Sequence, residues 1–336
     1  MRHRKVIVSM ISVLLLAAGC GATQGGPGGP GGPGGPGGNQ YSGRLIGSGT
    51  GYVHLLNLSG NSDWLKKTSI STHDVPALDL TSNELWVAGL NMAEPLLIDV
   101  YDLTTFGTKR SLMWPDTESL HRVERFAVAP GGKYLAANLS VLGEPLLEVL
   151  DTETASIVYT ALDYRVASTN MLWTSDLSLL MAYEAGGAFD PDVHGAVIMV
   201  PLAQFLEDDD ELGAYLIQTF TRAEWGQRGV TFLALSADES QLAYVLNGDI
   251  WVKDLAPEGT PRQLTTGPTA NAGPAFSPDG EHIAFTGLRP YGLSDTLVLP
   301  NDGTGPYLVD VRDPANSQAY VVDSQNLITA ILAWLP

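Results

Sequence analysis

One phrase, repeated with variations, constrains this chain more than any other feature. Its clearest copy is Pro274-Ala-Phe-Ser-Pro-Asp-Gly-Glu-His-Ile-Ala-Phe285, preceded by Arg262-Gln-Leu-Thr265. Within Pro278-Asp279-Gly280, proline presets φ, aspartate caps its own backbone, and glycine takes the conformation a bulged turn needs. The flanks alternate, Ala275-Phe276 before the turn and His282-Ile283-Ala284-Phe285 after it. That pattern is a hairpin with a buried face.

The phrase recurs as Phe126-Ala-Val-Ala-Pro-Gly-Gly-Lys-Tyr-Leu-Ala136 and as Leu233-Ala-Leu-Ser-Ala-Asp-Glu-Ser-Gln-Leu-Ala243. The second copy is followed by Asn247-Gly-Asp-Ile-Trp-Val-Lys-Asp254 as the next strand. Leu172 to Met181 and Ala77 to Trp86 are degenerate copies, and Ile331 to Pro336 is a sixth start that stops at the turn. Its continuation lies at the other terminus, where Gly43–Gly47, Tyr52–Leu58 and Lys66–Ile70 supply three more strands. Head and tail are therefore expected to complete one shared blade, which removes the free sheet edges of an open β-protein. Turn positions 130, 175, 237 and 278 lie 45, 62 and 41 residues apart. Such spacing is blade-sized, and the long interval reads as an insertion at about 185–227. The expected fold is all-β: a six-bladed β-propeller over residues 41–336, its N- and C-terminal strands sharing one blade. Helical periodicity is scarce, the exception being Pro201 to Tyr215, where Leu202, Phe205, Leu206 and Leu212 would line one face of a short helix.

The phrase around Phe276–Phe285, the Leu264-Thr265 pair and the split terminal blade resemble the TolB-like six-bladed β-propellers with WD40-like (PD40-type) repeats. The resemblance is strongest from Val230 to Leu299. It implies a protein-binding disc or a gating domain of a peptidase. The chain departs from the periplasmic TolB proteins by lacking their helical N-terminal domain, so their specific partners do not carry over.

Before the repeats stands an address. Arg2, Arg4 and Lys5 precede an apolar run from Val6 to Ala18, too short to span a bilayer comfortably, which favours a secretory signal over residues 1–19. Leu16-Ala-Ala-Gly-Cys20 resembles the bacterial lipobox, with Ala17 where leucine is commonest. The resemblance implies diacylglycerol on the Cys20 thiol and cleavage before it. Gly21 in place of aspartate is similar to the outer-membrane sorting signal of Gram-negative hosts. The body is thus expected on the cell envelope, lipid-anchored and facing periplasm or exterior. Residues 20–40 hold the GGPGGPGGPGGPGG run from Gly25 to Gly38, a flexible tether of roughly 25 Å r.m.s. span. Processing would remove three bases and leave 15 against 37 acids, a charge of −22. That charge argues against nucleic acid, and membrane attachment would have to come from acyl chains.

One cysteine excludes an internal disulfide framework and a Cys-rich zinc site. No Gly-x-Ser-x-Gly elbow occurs, and the peptidases that carry such propellers append a catalytic domain, whereas this chain ends at Pro336. No enzyme activity and no cofactor are expected. Asp190, Asp192 and His194, with Asp208–Glu211 downstream, are the candidate oxygen-rich metal ligands, although an acidic run in a loop is ordinarily a solvated face. His73, His121, Arg228 and Asn271 fall on or near loops entering innermost strands, where several such loops converge on the axis. They are the candidate ligand or partner residues. Trp86, Trp173 and Trp251 read as inter-blade packing, and His54 and His282 as ordinary strand residues. The expected role is a noncatalytic, membrane-tethered, monomeric scaffold binding protein or peptide in the cell envelope. The alternatives are a hydrolase or lactonase-type enzyme with an axial metal, and a small-ligand or glycan-binding lipoprotein.

Overall fold

A computed structural model of the chain describes residues 5–8, 42–49, 52–58, 67–69, 75–89, 96–115, 121–141, 144–162, 171–184, 192–207, 211–226, 229–256, 258–266, 270–288, 294–301, 320–323 and 330–336. Most of the described residues are strand, grouped into six sheets built of antiparallel strands that follow one another along the chain. Blade 1 holds Val75–Asp79, Glu84–Ala88, Leu97–Asp102 and Thr108–Met113. Blade 2 holds His121–Val128, Tyr134–Val141, Glu144–Asp151 and Ser156–Leu162. Blade 3 holds Leu172–Trp173, Ser178–Glu184, Gly195–Pro201 and Glu211–Phe220. Blade 4 holds Val230–Leu235, Gln241–Leu246, Asp249–Asp254 and Arg262–Gln263. Blade 5 holds Ala270–Phe276, His282–Leu288, Ser294–Pro300 and Tyr320–Asp323.

The last sheet draws on both ends of the chain. Ala330–Leu335 pairs with Arg44–Gly49, which pairs with Tyr52–Asn57 and then Lys67–Ser69. Leu45 stands opposite Trp334, whose indole N–H donates to the Ser42 carbonyl at 3.1 Å. The first strand of each sheet adjoins the first strand of the next, and Ala330–Leu335 adjoins Val75–Asp79, so the ring closes. In blade 3 the innermost strand is only two residues long. Counted by full-length inner strands the ring has five blades, and the sixth sheet stands on that short one.

A ring of sheets buries each sheet on both faces, and the core reflects this. The described residues form six apolar clusters, one between each neighbouring pair of blades. The second strands sit deepest, and all five residues of Glu84–Ala88 are buried. This is why Leu179–Ala182 and Leu242–Leu246 are continuous apolar runs rather than alternating ones. Trp173 reaches from blade 3 to donate to the Ala127 carbonyl of blade 2 at 3.3 Å. Trp86 is fully buried against Gly132 of blade 2, and half-buried Trp251 packs on the cluster between blades 3 and 4.

Two sequence expectations need correction. The stretch from 185 to 227 is not a detached insertion, because its described residues supply the third and fourth strands of blade 3. The helix within it stops at Leu206, with Leu202 and Phe205 buried, and Glu211–Phe220 is strand. Tyr215 and Leu216 obey the pairing register with Gly195–Pro201, so sheet completion overrides the local helical spacing. Lys5–Val8 lies parallel to residues 211–214 at that sheet's edge. Among the described residues, no helix is long and apolar enough to cross a membrane. Cys20 and the Gly/Pro run lie outside the described residues.

Candidate functional site: the axial channel and its hairpin face

The innermost strands enclose a channel of about 800 Å³. Its wall is made largely of small and apolar residues, among them Ala77, Ala127, Ala234 and Ala330. Among the described lining residues Arg125 is the single cation, and Asp79 and Glu239 are the only carboxylates. The Arg125 guanidinium donates to the Glu124 carbonyl at 2.6 Å. Asp79 accepts from the amides of Thr81 and Ser82, at 3.0 and 3.3 Å. Among the described lining residues there is no histidine, asparagine or glutamine.

One mouth of the channel is built by the turns between first and second strands. Leu80, Pro130, Ala237 and Pro278, each just past the end of an inner strand, line it. The turns share one design. Ser277 Oγ donates to Asp279 and accepts from the His282 amide, while Asp279 also accepts from the Glu281 amide at 3.0 Å. Ser236 and Asp238 repeat the arrangement with Ser240 and Gln241, and Thr174 and Asp176 repeat it with Ser178. In each case a hydroxyl and a carboxylate replace backbone partners that a four-residue turn leaves unpaired. The Ser277 hydroxyl and the Glu281 amide hold the Asp279 carboxyl below the usual range. The Ser236 hydroxyl and the Ser240 amide do the same for Asp238. Both side chains are exposed.

Neighbouring turns are latched across blades. Glu239 accepts from the Ser175 amide at 2.6 Å and its hydroxyl at 3.0 Å. The Asn301 amide donates to Gln241 Oε1 at 2.7 Å and to the Gly280 carbonyl at 2.9 Å. Deeper between blades 1 and 2, the Trp114 indole donates to buried Glu148 at 2.8 Å. Glu84, 3% exposed, takes a two-point contact from Arg110 at 3.0 and 3.1 Å and an ion pair from Lys109 at 2.7 Å. Burial pushes the Glu84 carboxyl up, but the Lys109 and Arg110 contacts outweigh it and hold it below the usual range.

Of the residues singled out from sequence as ligand or partner candidates, Asn271 and His121 fall within described strands. Asn271 is buried, donating its side-chain amide to Thr265 Oγ1 at 3.0 Å and its backbone N–H to the Gly248 carbonyl at 2.9 Å. Thr265 in turn accepts from the Ile250 amide and donates to Asp249, so the network joins blades 4 and 5. Burial pushes the Asp249 carboxyl up, opposed by its bonds from Thr265 and Gln263. His121 opens the inner strand of blade 2, and His73 and Arg228 lie outside the described residues. Asp192 is exposed, His194 stands 3.7 Å from Glu184, and Asp190 lies outside the described residues.

Among the described residues, one group of three potential metal ligands comes together, at Asp279, Glu281 and His282. It sits on the exposed turn, where the Asp279 oxygen is already engaged by Ser277 and Glu281. His54 is fully buried in its strand and His282 is half-buried at the start of its own. The acid arc of the hairpin face was the feature sequence reasoning passed over. Its signal was present, since Asp176, Asp238 and Asp279 recur at matching places in three of the turn phrases.

The sequence matches no protein-family model. A stretch of 72 residues is 40% identical to tricorn protease homolog 2 of Streptomyces coelicolor, which is 21% of this chain and 6% of that protein's length. Among solved structures, TolB from Acinetobacter baumannii aligns over 86% of this chain and 66% of its own, at TM-score 0.57 and 14% identity. A chain of the nidogen/laminin complex aligns over 87% of this chain and 98% of its own, at TM-score 0.54 and 11% identity. The Cps50 (Swd1) β-propeller domain of Myceliophteria thermophila aligns over 87% of each chain, at TM-score 0.52 and 14% identity. At such identities the likeness speaks for the fold alone: this chain has a β-propeller fold.

Proposed function

We propose that this chain is a noncatalytic, membrane-tethered propeller of the bacterial cell envelope that binds a protein or peptide at the axial channel. One observation carries the reading: the described side chains of the channel wall are mostly small or apolar, and the two carboxylates among them sit at one mouth engaged in turn and inter-blade bonds. A wall of that kind favours contact with apolar side chains over bond-breaking chemistry, which calls for converging acids, bases or metal ligands. TolB and a nidogen/laminin complex among its structural neighbours accord with a protein partner. Tethering rests on the Cys20 motif and the Gly-rich run.

The test is capture from solubilised envelope by residues 41–336, compared with the Leu80→Asp variant. Leu80 lines the mouth and is 51% exposed, so the substitution leaves the core intact. The same partner should be recovered by the native chain and lost by the variant; equal recovery by both would refute the channel as the site. Cys20→Ser should release the full-length protein from membranes into the soluble fraction, and continued membrane retention would contradict the tether.

A second reading, a peptide-hydrolysing enzyme, is favoured by the 72-residue likeness to a protein named as a tricorn protease homologue. Cleavage of a mixed peptide pool by the purified chain, followed by mass spectrometry, separates the two.

A further inference from the structure

We propose that the partner segment is cationic around an apolar tip and enters from the hairpin face, its tip in the channel mouth and its Lys or Arg side chains on the carboxylates of blades 3 to 5. This rests on the channel being the recognition site, and adds the chemistry of what it recognises. The mouth offers a collar of Leu80, Pro130, Ala237 and Pro278 over a cavity of about 800 Å³. Around half of that collar the turns of blades 3, 4 and 5 place Asp176, Asp238, Glu239, Asp279 and Glu281, and carry no Lys or Arg. The distribution is lopsided. The equivalent turn of blade 2 has Gly131, Gly132 and Lys133, and Lys133 is ion-paired with Glu153 at 3.2 Å. In blade 1 the turn itself, Leu80 to Asn83, carries no carboxylate, and Asp79 at its start is 3% exposed and caps it.

Turn hydrogen bonds fix where these charges stand, so they attract a cation without having to be ordered by it. The bonds are made within each turn; four of the five carboxylates are exposed to solvent, Glu239 being half-buried against Ser175. The whole chain carries −19, which repels a second copy and acidic segments and attracts basic ones. A Gly/Pro stretch like the chain's own has neither the apolar tip nor the charge to match this mouth.

The experiment titrates residues 41–336 with three synthetic peptides sharing a Leu-Val-Leu centre: one flanked by paired lysines, one by paired glutamates, one by paired serines. The lysine peptide should bind about tenfold or more tightly than the serine peptide, and the glutamate peptide weakest. Raising salt to about 0.5 M should erase most of that preference, since exposed charges are screened within a few ångströms. In the triple variant Asp176→Asn, Asp238→Asn, Asp279→Asn each amide oxygen still accepts the turn bonds. The lysine preference should shrink about tenfold there, in a chain that still melts in one cooperative transition. Leu80→Ser, which removes apolar contact without adding charge, should weaken all three peptides alike. Equal affinity for the three peptides, or a triple variant that keeps the lysine preference, overturns the proposal. If envelope capture still depends on Leu80 in that event, the channel reading survives and the charge assignment alone fails. If the lysine peptide binds as expected but no envelope partner is captured, the chemistry stands and the assigned location of the partner fails.

Discussion

The hairpin turns place a left-handed residue at one equivalent position: Gly280 at φ +74, Gly132 at +70, Leu177 at +62, Glu239 at +57 and Asn83 at +55. A side chain there costs about 1 kcal/mol. Leu177 and Glu239 offset it, the first by packing on the core between blades 2 and 3, the second through its bonds to Ser175. Gly280 has open space around its missing Cβ, whereas a Cβ on Gly132 would lie 2.9 Å from the Trp86 ring. Gly280→Ala should therefore lower unfolding stability by about 1 kcal/mol, and Gly132→Ala by roughly 2–3 kcal/mol because the Trp86 contact must also give way. Denaturant titration of both checks the order, and equal losses would contradict it.

Glu84 gives the pH dependence its sign. A carboxyl held below its ordinary value in the folded chain stabilises above the unfolded value, near 4.3, and that contribution fades as pH falls through the folded one. Glu84→Gln should thus destabilise most at neutral pH, by about 1–3 kcal/mol, with the difference shrinking below about pH 4. Asp249 is opposite in sign: its raised carboxyl contributes at low pH and loses that contribution as pH rises. Asp249→Asn should raise the melting temperature more at neutral pH than in acid. A pH-independent gap for either variant would exclude these assignments.

At the level of strands and turns, much could be read in advance. The Ser-Pro-Asp-Gly phrase announces a hairpin because each residue answers a local demand of the backbone, and local demands are written in contiguous sequence. Blade 3 was misread for the opposite reason. Its inner strand is two residues long and its third and fourth strands are separated by a short helix, so spacing alone suggested an inserted loop. The inter-blade latches were not legible at all. Glu148 and Trp114 are 34 residues apart and meet only once both blades exist. Asn271 had the right place in the phrase for a mouth residue, yet its neighbour Thr265 claims its amide. Trp114→Phe removes the donor and leaves a buried Glu148 oxygen without it. The expected loss is about 1–3 kcal/mol, read by thermal melting, and no loss would mean the bond contributes nothing to blade 1–2 cohesion.

The whole molecule depends on one junction, where the last strand of the chain becomes the innermost strand of the blade begun by the first ones. Sequence announced this closure because the sixth repeat was cut at its turn and the matching strands stood at the other end. Closure brings six inner strands around one axis, creates the apolar channel, and turns the acid-bearing hairpins to a common face. Without Ala330–Leu335, Ile331 and Trp334 leave the cluster shared by blades 5 and 6, and Arg44–Gly49 becomes an exposed sheet edge.

Hydrogen exchange measured on the full chain and on a chain ending at Thr329 tests this most directly. Loss of slow exchange should spread from Arg44–Gly49 into blades 1 and 5, or the shortened chain should fail to fold. Unchanged protection in a shortened chain that unfolds at the same denaturant concentration would show that the two ends do not close the ring.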